Sequence, residues 1–459
     1  MWLLYVYAGY PLCLWILGRF RSIRHVIDEN YLPEVSVLIA ARNEQNDIAW
    51  KVQQTLSWDY PQDRLQVLVA SDASNDQTDE ILQQMSDPRL TWIRIKERGG
   101  KVRALKRLAR VARGELLFFT DANSSIAPHA LRRMVRHFAD PRVGCVAGAD
   151  RTAIAEQERF REKQPIALGE SAYWNYELLI DDLESHLGSL LVCFGAIHCI
   201  RRELWPDCDP DLANDLEVPI RIGGNGHLVV FEGSAVSFEK ATSSPLEEFR
   251  RRRRICGQGA LAMYRIRGWL RGIRGWQFFS RKCLRWLGLL PLLAVLLGSF
   301  LLSPQSVARS ILLFCQLVCY SMAAFGLVAA ACGKAVSRLI ALPFYFMLVN
   351  AAALMGVWDA CCGRRYSMWS VASQTRGRET LGTTHASADT CGAHHDSLEP
   401  YPLVSPDPLK TDEQMEEVWQ KAQARQGKAG LEDKPWHETT HRASPLPREQ
   451  VPRVIDPSG

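Results

Sequence analysis

The chain has 459 residues, with 55 Lys and Arg against 50 Asp and Glu, a formal net charge of +5 and a mean hydropathy of −0.12. That length allows two or three domains of about 100–200 residues each, and so small a positive excess excludes a general nucleic-acid binder. The 13 cysteines show no paired C-x-x-C spacing, which speaks against a zinc site and against a secreted disulfide framework.

Trp2 to Gly18 carries no charge and is followed at once by Arg19, Arg21 and Arg24. A cleaved signal would put its positive charge first, so residues 1–24 read as a retained anchor with a cytoplasmic basic flank. Its apolar run spans about 26 Å as a helix, a little short of a bilayer core.

From Pro33 to about residue 260, apolar β-branched runs alternate with helical patterns. Strands are predicted at Val35–Ala41, Leu65–Ala70, Leu90–Ile95, Glu115–Thr120 and Val143–Gly148. Helices are predicted at Asp47–Leu56, Thr78–Met85, Val102–Val111 and Pro128–Phe138. The alternation predicts an α/β domain with a doubly wound, mainly parallel, Rossmann-like sheet.

Next, residues 264–285 mix Trp and Phe with Arg and Lys, as a helix lying in the cytoplasmic headgroup layer would. Residues 286–361 hold three uncharged blocks, Trp286 to Ser303, Ile311 to Gly333 and Leu339 to Trp358, each long enough to span. One inward span followed by three would put the C-terminal tail outside, whereas Arg364 and Arg365 favour the inside. Residues 382–459 are polar and rich in Pro, Ser, Thr and His, and read as a disordered tail.

Ligands of such sheets bind beyond the carboxyl ends of the strands. Three of those ends carry polar groups: Ala41-Arg42-Asn43-Glu44, Ser71-Asp72 through Asp76, and Thr120-Asp121-Ala122-Asn123. The chain has no phosphate loop and no G-x-G-x-x-G after the first strand, which speaks against an NTPase or a dinucleotide oxidoreductase. Asp76 reads as a cap for the helix from Thr78, and His198 as a packed histidine.

The pieces PEVSVLIAARNE, VLVASDASNDQT, GGKVRAL, FFTDANSSIAPHAL, GAIHCIRRELW, NDLEVPIRIGGNGH and EEFRRRRRICGQG, in this order, resemble family 2 of the inverting glycosyltransferases, of GT-A type. With the membrane pattern on both sides, the chain resembles the branch that makes cellulose, hyaluronan and poly-N-acetylglucosamine.

The resemblance implies a role for each matching position. Ala41, Arg42 and Glu44 border the nucleoside of a nucleotide-sugar donor, UDP-linked by expectation, and Asp72 reads the base. Lys101 contacts the diphosphate. Asp121 and Asn123 stand in the metal motif, where Mg²⁺ or Mn²⁺ would offset the leaving diphosphate's charge; the second position is Asn where the family has Asp. Asp215 matches the catalytic base that takes the acceptor's proton. Arg251 and Arg254 stand at the two basic positions of the family's arginine motif, with Ile255 where Trp is usual. Trp174, Gly195 and Ala196 match the acceptor side.

The expectation is a multi-pass plasma (inner) membrane enzyme with a cytoplasmic catalytic domain, extending a polysaccharide. A single transfer to a lipid acceptor and a catalytically silent scaffold remain the rivals. Membrane lipid and an accessory membrane protein are the expected partners, and nucleic acid is not.

Overall fold

The computed structural model describes residues 1–153, 165–240, 244–303 and 305–366, so the predicted tail over residues 382–459 lies outside the described residues. Helix α1 (Trp2–Arg21) is followed by β1 (Val35–Ala41), α2 (Ile48–Leu56), β2 (Leu65–Asp72), α3 (Thr78–Gln84), β3 (Leu90–Ile95), α4 (Lys101–Val111) and β4 (Leu116–Asp121). Then come β5 (Ser125–Ile126), α5 (Ala130–Val135), β6 (Val143–Ala153), α6 (Pro165–Ser185), β7 (His198–Arg201), α7 (Asn214–Gly224) and β8 (Leu228–Lys240). The remaining helices are α8 (Pro245–Arg265), α9 (Ile273–Trp286), α10 (Leu289–Leu301), α11 (Val307–Ala331) and α12 (Arg338–Cys361).

The sheet has the order β3-β2-β1-β4-β7-β6-β8-β5. Side chains of β1 alternate between two cores, as a strand buried on both faces requires. Val35, Val37, Ile39 and Ala41 join one, with Phe118 and Val69, while Leu38 and Ala40 join the other, with Leu68 and Phe119. Burying such side chains stabilises the fold by about 1.5–3 kcal/mol for each Val, Leu, Ile or Phe.

The pairs β1–β2, β2–β3 and β1–β4 are parallel, as a mainly parallel sheet predicts, and so is β6–β8 with a strand the pattern did not reveal, but β4–β7, β6–β7 and β5–β8 are antiparallel. The sheet is therefore mixed. The four residues of β7 are too few to show a period, and β8 interrupts its apolar positions with Glu232, Gly233 and Ser234. From β1 the chain turns to β2 and β3 on one side and returns as β4 on the other. That topological switch opens a crevice at the carboxyl ends of β1 and β4, where Ala40 is in register with Asp121.

Helices α1, α11 and α12 are long and apolar enough to cross a membrane. The block predicted as a separate span from Trp286 holds only the 13-residue α10. It would reach about 20 Å, and it is bent 55° from α9, with which it could form one broken span. Within the segment predicted to lie in the headgroup layer, residues 264–285, Arg267 and Arg271 are exposed but Arg281 is turned inward. Arg281 is 2% exposed and paired with Glu177 and Asp181, each at 2.7 Å, and with Glu184 at 2.9 Å. Those three acids recur at helical spacing on one face of α6, a buried acidic stripe that draws the arginine inward.

Candidate active site

The loops after β1 and β2 are tied together. Arg42 donates to the carbonyls of Asp72 and Ala73 at 2.7 and 3.0 Å, the Glu44 backbone N–H donates to Thr78 Oγ1 at 2.9 Å, and that of Asn75 to Asn43 Oδ1 at 2.9 Å. Asn43 and Ala73 both adopt positive φ, 53° and 51°, the cost of turning the chain so sharply at each strand end. Ala41 is fully buried. The Asp72 carboxylate accepts the backbone N–H groups of Gly99 and Gly100 at 2.7 and 2.8 Å. It thus fixes the turn that launches α4 and aims Lys101. Asp76 lies one residue before the N-cap of α3, Gln77, and its carboxylate accepts from the Thr78 and Gln45 N–H groups, each at 3.1 Å, so it ties the two loops rather than capping the helix.

Lys101, Asp121 and Asp215 come from three distant parts of the chain and meet at one glycine. A Cβ on Gly195 would lie 3.2 Å from Lys101 Nζ, 3.5 Å from Asp215 Oδ2 and 3.9 Å from Asp121 Oδ2. Lys101 is ion-paired with Asp121. The Cys193 N–H donates to the Asp215 carbonyl at 2.9 Å, binding the Gly195 loop to the start of α7. All three side chains face a cavity of about 910 Å³ that Asn123, Trp174, Gly195, Ala196, Arg251 and Arg254 also line. Ala41, Arg42, Glu44 and Asp72 are not in its wall. They lie at and just after the ends of β1 and β2.

Burial pushes the Asp215 carboxyl above its ordinary range; Lys101 opposes the shift and the Asp121 charge adds to it. Burial works against the charge on Lys101, but Asp121, Asp215 and Glu239 outweigh it and hold its pKa above the usual lysine value. The cavity therefore sets a buried carboxylate with raised basicity beside a fixed ammonium. Glu217 turns away: it accepts the Asp209 N–H at 2.9 Å and pairs with Arg221 at 2.6 Å. His198 stacks on Phe119 at 4.5 Å and bonds the Phe194 carbonyl, and burial pushes its pKa down to about 4, as a packed histidine requires.

The arginine run is divided by its partners. Arg251 is held by Glu170 at 2.5 Å and Glu248 at 2.8 Å. Arg252 binds Glu248 and the Tyr345 hydroxyl and lies over the Tyr173 ring at 4.2 Å. Arg253 grips Asp359 through two hydrogen bonds of 2.6 and 2.8 Å. Arg254 makes no hydrogen bond or ion pair with any described residue, so its donors are open to the cavity.

Two carboxyl groups in the wall escape a reading of the strand ends. Asp150 lies two residues past the predicted end of β6, and Glu239 lies on β8, which the pattern does not reveal. Burial pushes both upward, and the charge of Glu239 adds to the shift of Asp150 as that of Asp121 adds to the shift of Glu239. Asp121 and Asn123 offer the hard oxygen donors that Mg²⁺ or Mn²⁺ takes. No cluster of three or more His, Cys, Asp or Glu placed to hold an ion occurs among the described residues. These two would thus fit a cation that completes its shell with diphosphate oxygens and water.

Residues 36–204 match the family described as Glycosyl transferase family 2. The chain is 36% identical over 129 residues to a beta-monoglucosyldiacylglycerol synthase of Synechocystis, covering 27% of this chain and 26% of that one. It is 28% identical over 214 residues to the enzyme of the same name from Trichormus variabilis, covering 44% of each. The chain thus spans less than half the length of these curated relatives. A mannosyltransferase from Pyrobaculum calidifontis, solved with GDP-Man and Mn²⁺, shares the fold at TM-score 0.57 and 22% identity, covering 77% of this chain and 96% of its own. The mixed sheet and the strand-end motifs agree with the family match: residues 36–204 carry the sequence pattern of glycosyl transferase family 2, on a fold shared with a GT-A glycosyltransferase.

Proposed function

We propose that this enzyme transfers a hexosyl group, with inversion, from a nucleotide sugar to a hydroxyl of a membrane lipid. The observation that carries the reading is the meeting of Lys101, Asp121 and Asp215 at Gly195 in one cavity. Asp215 takes the proton of the attacking hydroxyl, and its raised pKa makes it a stronger base than an exposed aspartate. Lys101 and Arg254 meet the diphosphate, where a fixed ammonium and an open guanidinium match developing negative charge. When bound at Asp121 and Asn123, Mg²⁺ or Mn²⁺ would add to that neutralisation. Ala41, Arg42, Glu44 and Asp72 shape the nucleoside side, and Trp174, Gly195 and Ala196 the acceptor side. Arg251, held by two carboxylates, positions α8 and Arg254.

The lipid acceptor is favoured by the curated relatives, whose name is a glucosyldiacylglycerol synthase, and by three helices long enough to span. In this reading the enzyme is multi-pass in the plasma membrane, with a cytoplasmic site. Polysaccharide extension with an accessory membrane protein is the second reading. The Trp174–Phe194 pair in the wall, with ring centres 5.4 Å apart, suits stacking on sugar faces and favours it.

Membranes carrying the full chain are given a panel of UDP- and GDP-sugars with Mn²⁺ or Mg²⁺, and the product is extracted and sized. The expected product is a lipid bearing one sugar. Asp215→Asn, with its fold intact, is expected to cut nucleotide release by about 10²–10⁴-fold. A high-molecular-weight product establishes the second reading, and release that survives the substitution removes Asp215 as the base.

A further inference from the structure

A second cavity, of about 520 Å³, lies against the catalytic one. Six residues line both, among them Tyr173, Ile255, Lys282 and Trp286, so the two spaces share a neck. The second cavity receives Tyr7 from α1, Cys319 from α11 and Phe346 from α12. Among the described residues these are the three helices long and apolar enough to cross a membrane. Cys319 and Leu342, both in its wall, are exposed on α11 and α12, on the flank such helices turn to lipid.

The chemistry of the wall selects the occupant. It is mostly apolar. A sugar polymer there would bury hydroxyl groups without partners, at about 1–3 kcal/mol for each unsatisfied group. A hydrocarbon chain loses nothing of that kind on entering. The cations that reach the neck are mostly engaged: Arg252 by Glu248 and Arg281 by the α6 carboxylates. Lys282 makes no hydrogen bond or ion pair with any described residue, and it faces both spaces. It gives the neck one open donor for a polar head.

We propose that this cavity holds the hydrocarbon chain of the acceptor lipid, entered sideways from the bilayer between α11 and α12, with the head at Lys282 and the hydroxyl delivered to Asp215. The proposal rests on the lipid-acceptor reading above and adds where that acceptor lies. Ala172 is exposed on α6 and lines this cavity alone of the two, so Ala172→Trp fills it without crowding a buried core. Leu342→Trp, at the other rim, does so from α12.

The test uses the full chain in membranes containing a diacylglycerol with a diazirine in one acyl chain. Irradiation is expected to label the peptides holding Tyr7, Tyr176 and Phe346, and either Trp variant is expected to abolish that label. Both variants are expected to raise KM for the long-chain acceptor by about tenfold, or 1.4 kcal/mol. Release of nucleotide to water without acceptor should keep the wild-type rate. Labelling confined to outward faces of α11 and α12, or a label and KM unchanged in both variants, overturns the proposal. Failure of the wild type to release nucleotide from any donor overturns the transferase reading instead, since labelling does not depend on turnover.

Discussion

Asp215 is competent as a base only when deprotonated, and burial beside Asp121 raises the pH at which that happens. The logarithm of kcat/KM is therefore expected to rise with pH through a limb above the ordinary aspartate value of about 3.9. A profile flat down to that value would assign proton removal to another group. A second buried residue acts from behind the site. Lys51 is fully buried and donates to Thr120 Oγ1 and to the Ser124 carbonyl, each at 2.8 Å, bracing the loop that carries Asp121 and Asn123. Burial pushes its pKa down to about 7. Between there and the usual lysine value of about 10.4, the unfolded chain holds a proton that the folded one has shed, so stability rises with pH across that window. Lys51→Met is expected to remove this rise and, by leaving the Ser124 carbonyl unmet, to cost about 1–3 kcal/mol. Unfolding monitored at pH 7 and pH 10 in both proteins measures it.

At the scale of elements, α8 and α12 touch backbone to backbone. A Cβ on Gly356 would fall 2.3 Å from the Arg253 carbonyl oxygen and 2.9 Å from the Gly257 nitrogen, so only glycine allows this approach. Gly356→Ala is expected to force the helices apart, loosen the Arg253–Asp359 clamp and shift Arg254 from the cavity. The loss should be about 1–3 kcal/mol of stability, with a larger fall in kcat than in donor affinity, read by thermal unfolding and kinetics together. Much at this scale was legible in the chain. The ends of β1, β2 and β4 stood out because an apolar run gives way at once to charged and amide side chains, Arg42-Asn43-Glu44, Asp72 and Asp121. What the pattern concealed were pairings over long separations. Nothing near Arg251 announces Glu170, 81 residues away, as the group that engages it. Likewise the basic look of residues 264–285 gave no sign that α6 would bury an acid stripe against Arg281. Glu239 was hidden because β8 alternates too weakly to read as a strand.

Across the whole molecule, the Arg281 cluster joins parts that sequence separates widely. Glu184 on α6 takes Arg281 of α9 at 2.9 Å and the hydroxyl of Tyr10 on α1 at 2.5 Å, while Glu177 also pairs with Arg285. Removing the central cation would leave three buried carboxylates facing one another. Arg281→Met is expected to cost about 3–5 kcal/mol and to lower the thermal midpoint in detergent far more than Arg254→Met, whose side chain has no hydrogen-bond or ion-pair partner among the described residues. Equal losses would deny the cluster its structural weight.

The close crossing of α8 with α12 also determines where this protein can be cut. The family match ends at residue 204, yet Asp215 lies beyond it, and β8, which pairs with β6 along the full length of that strand, lies further still. Arg254 in turn sits on a helix whose neighbouring backbone belongs to α12. A fragment ending at 204 would lack β8, the partner of β5 and β6, and Asp215 with it. One ending near 260 would keep the chemistry but strip the surface on which its arginines are set. The boundary that evolution marks in sequence and the boundary that mechanics would accept do not coincide, and the working unit reaches from the first strand to the last apolar helix.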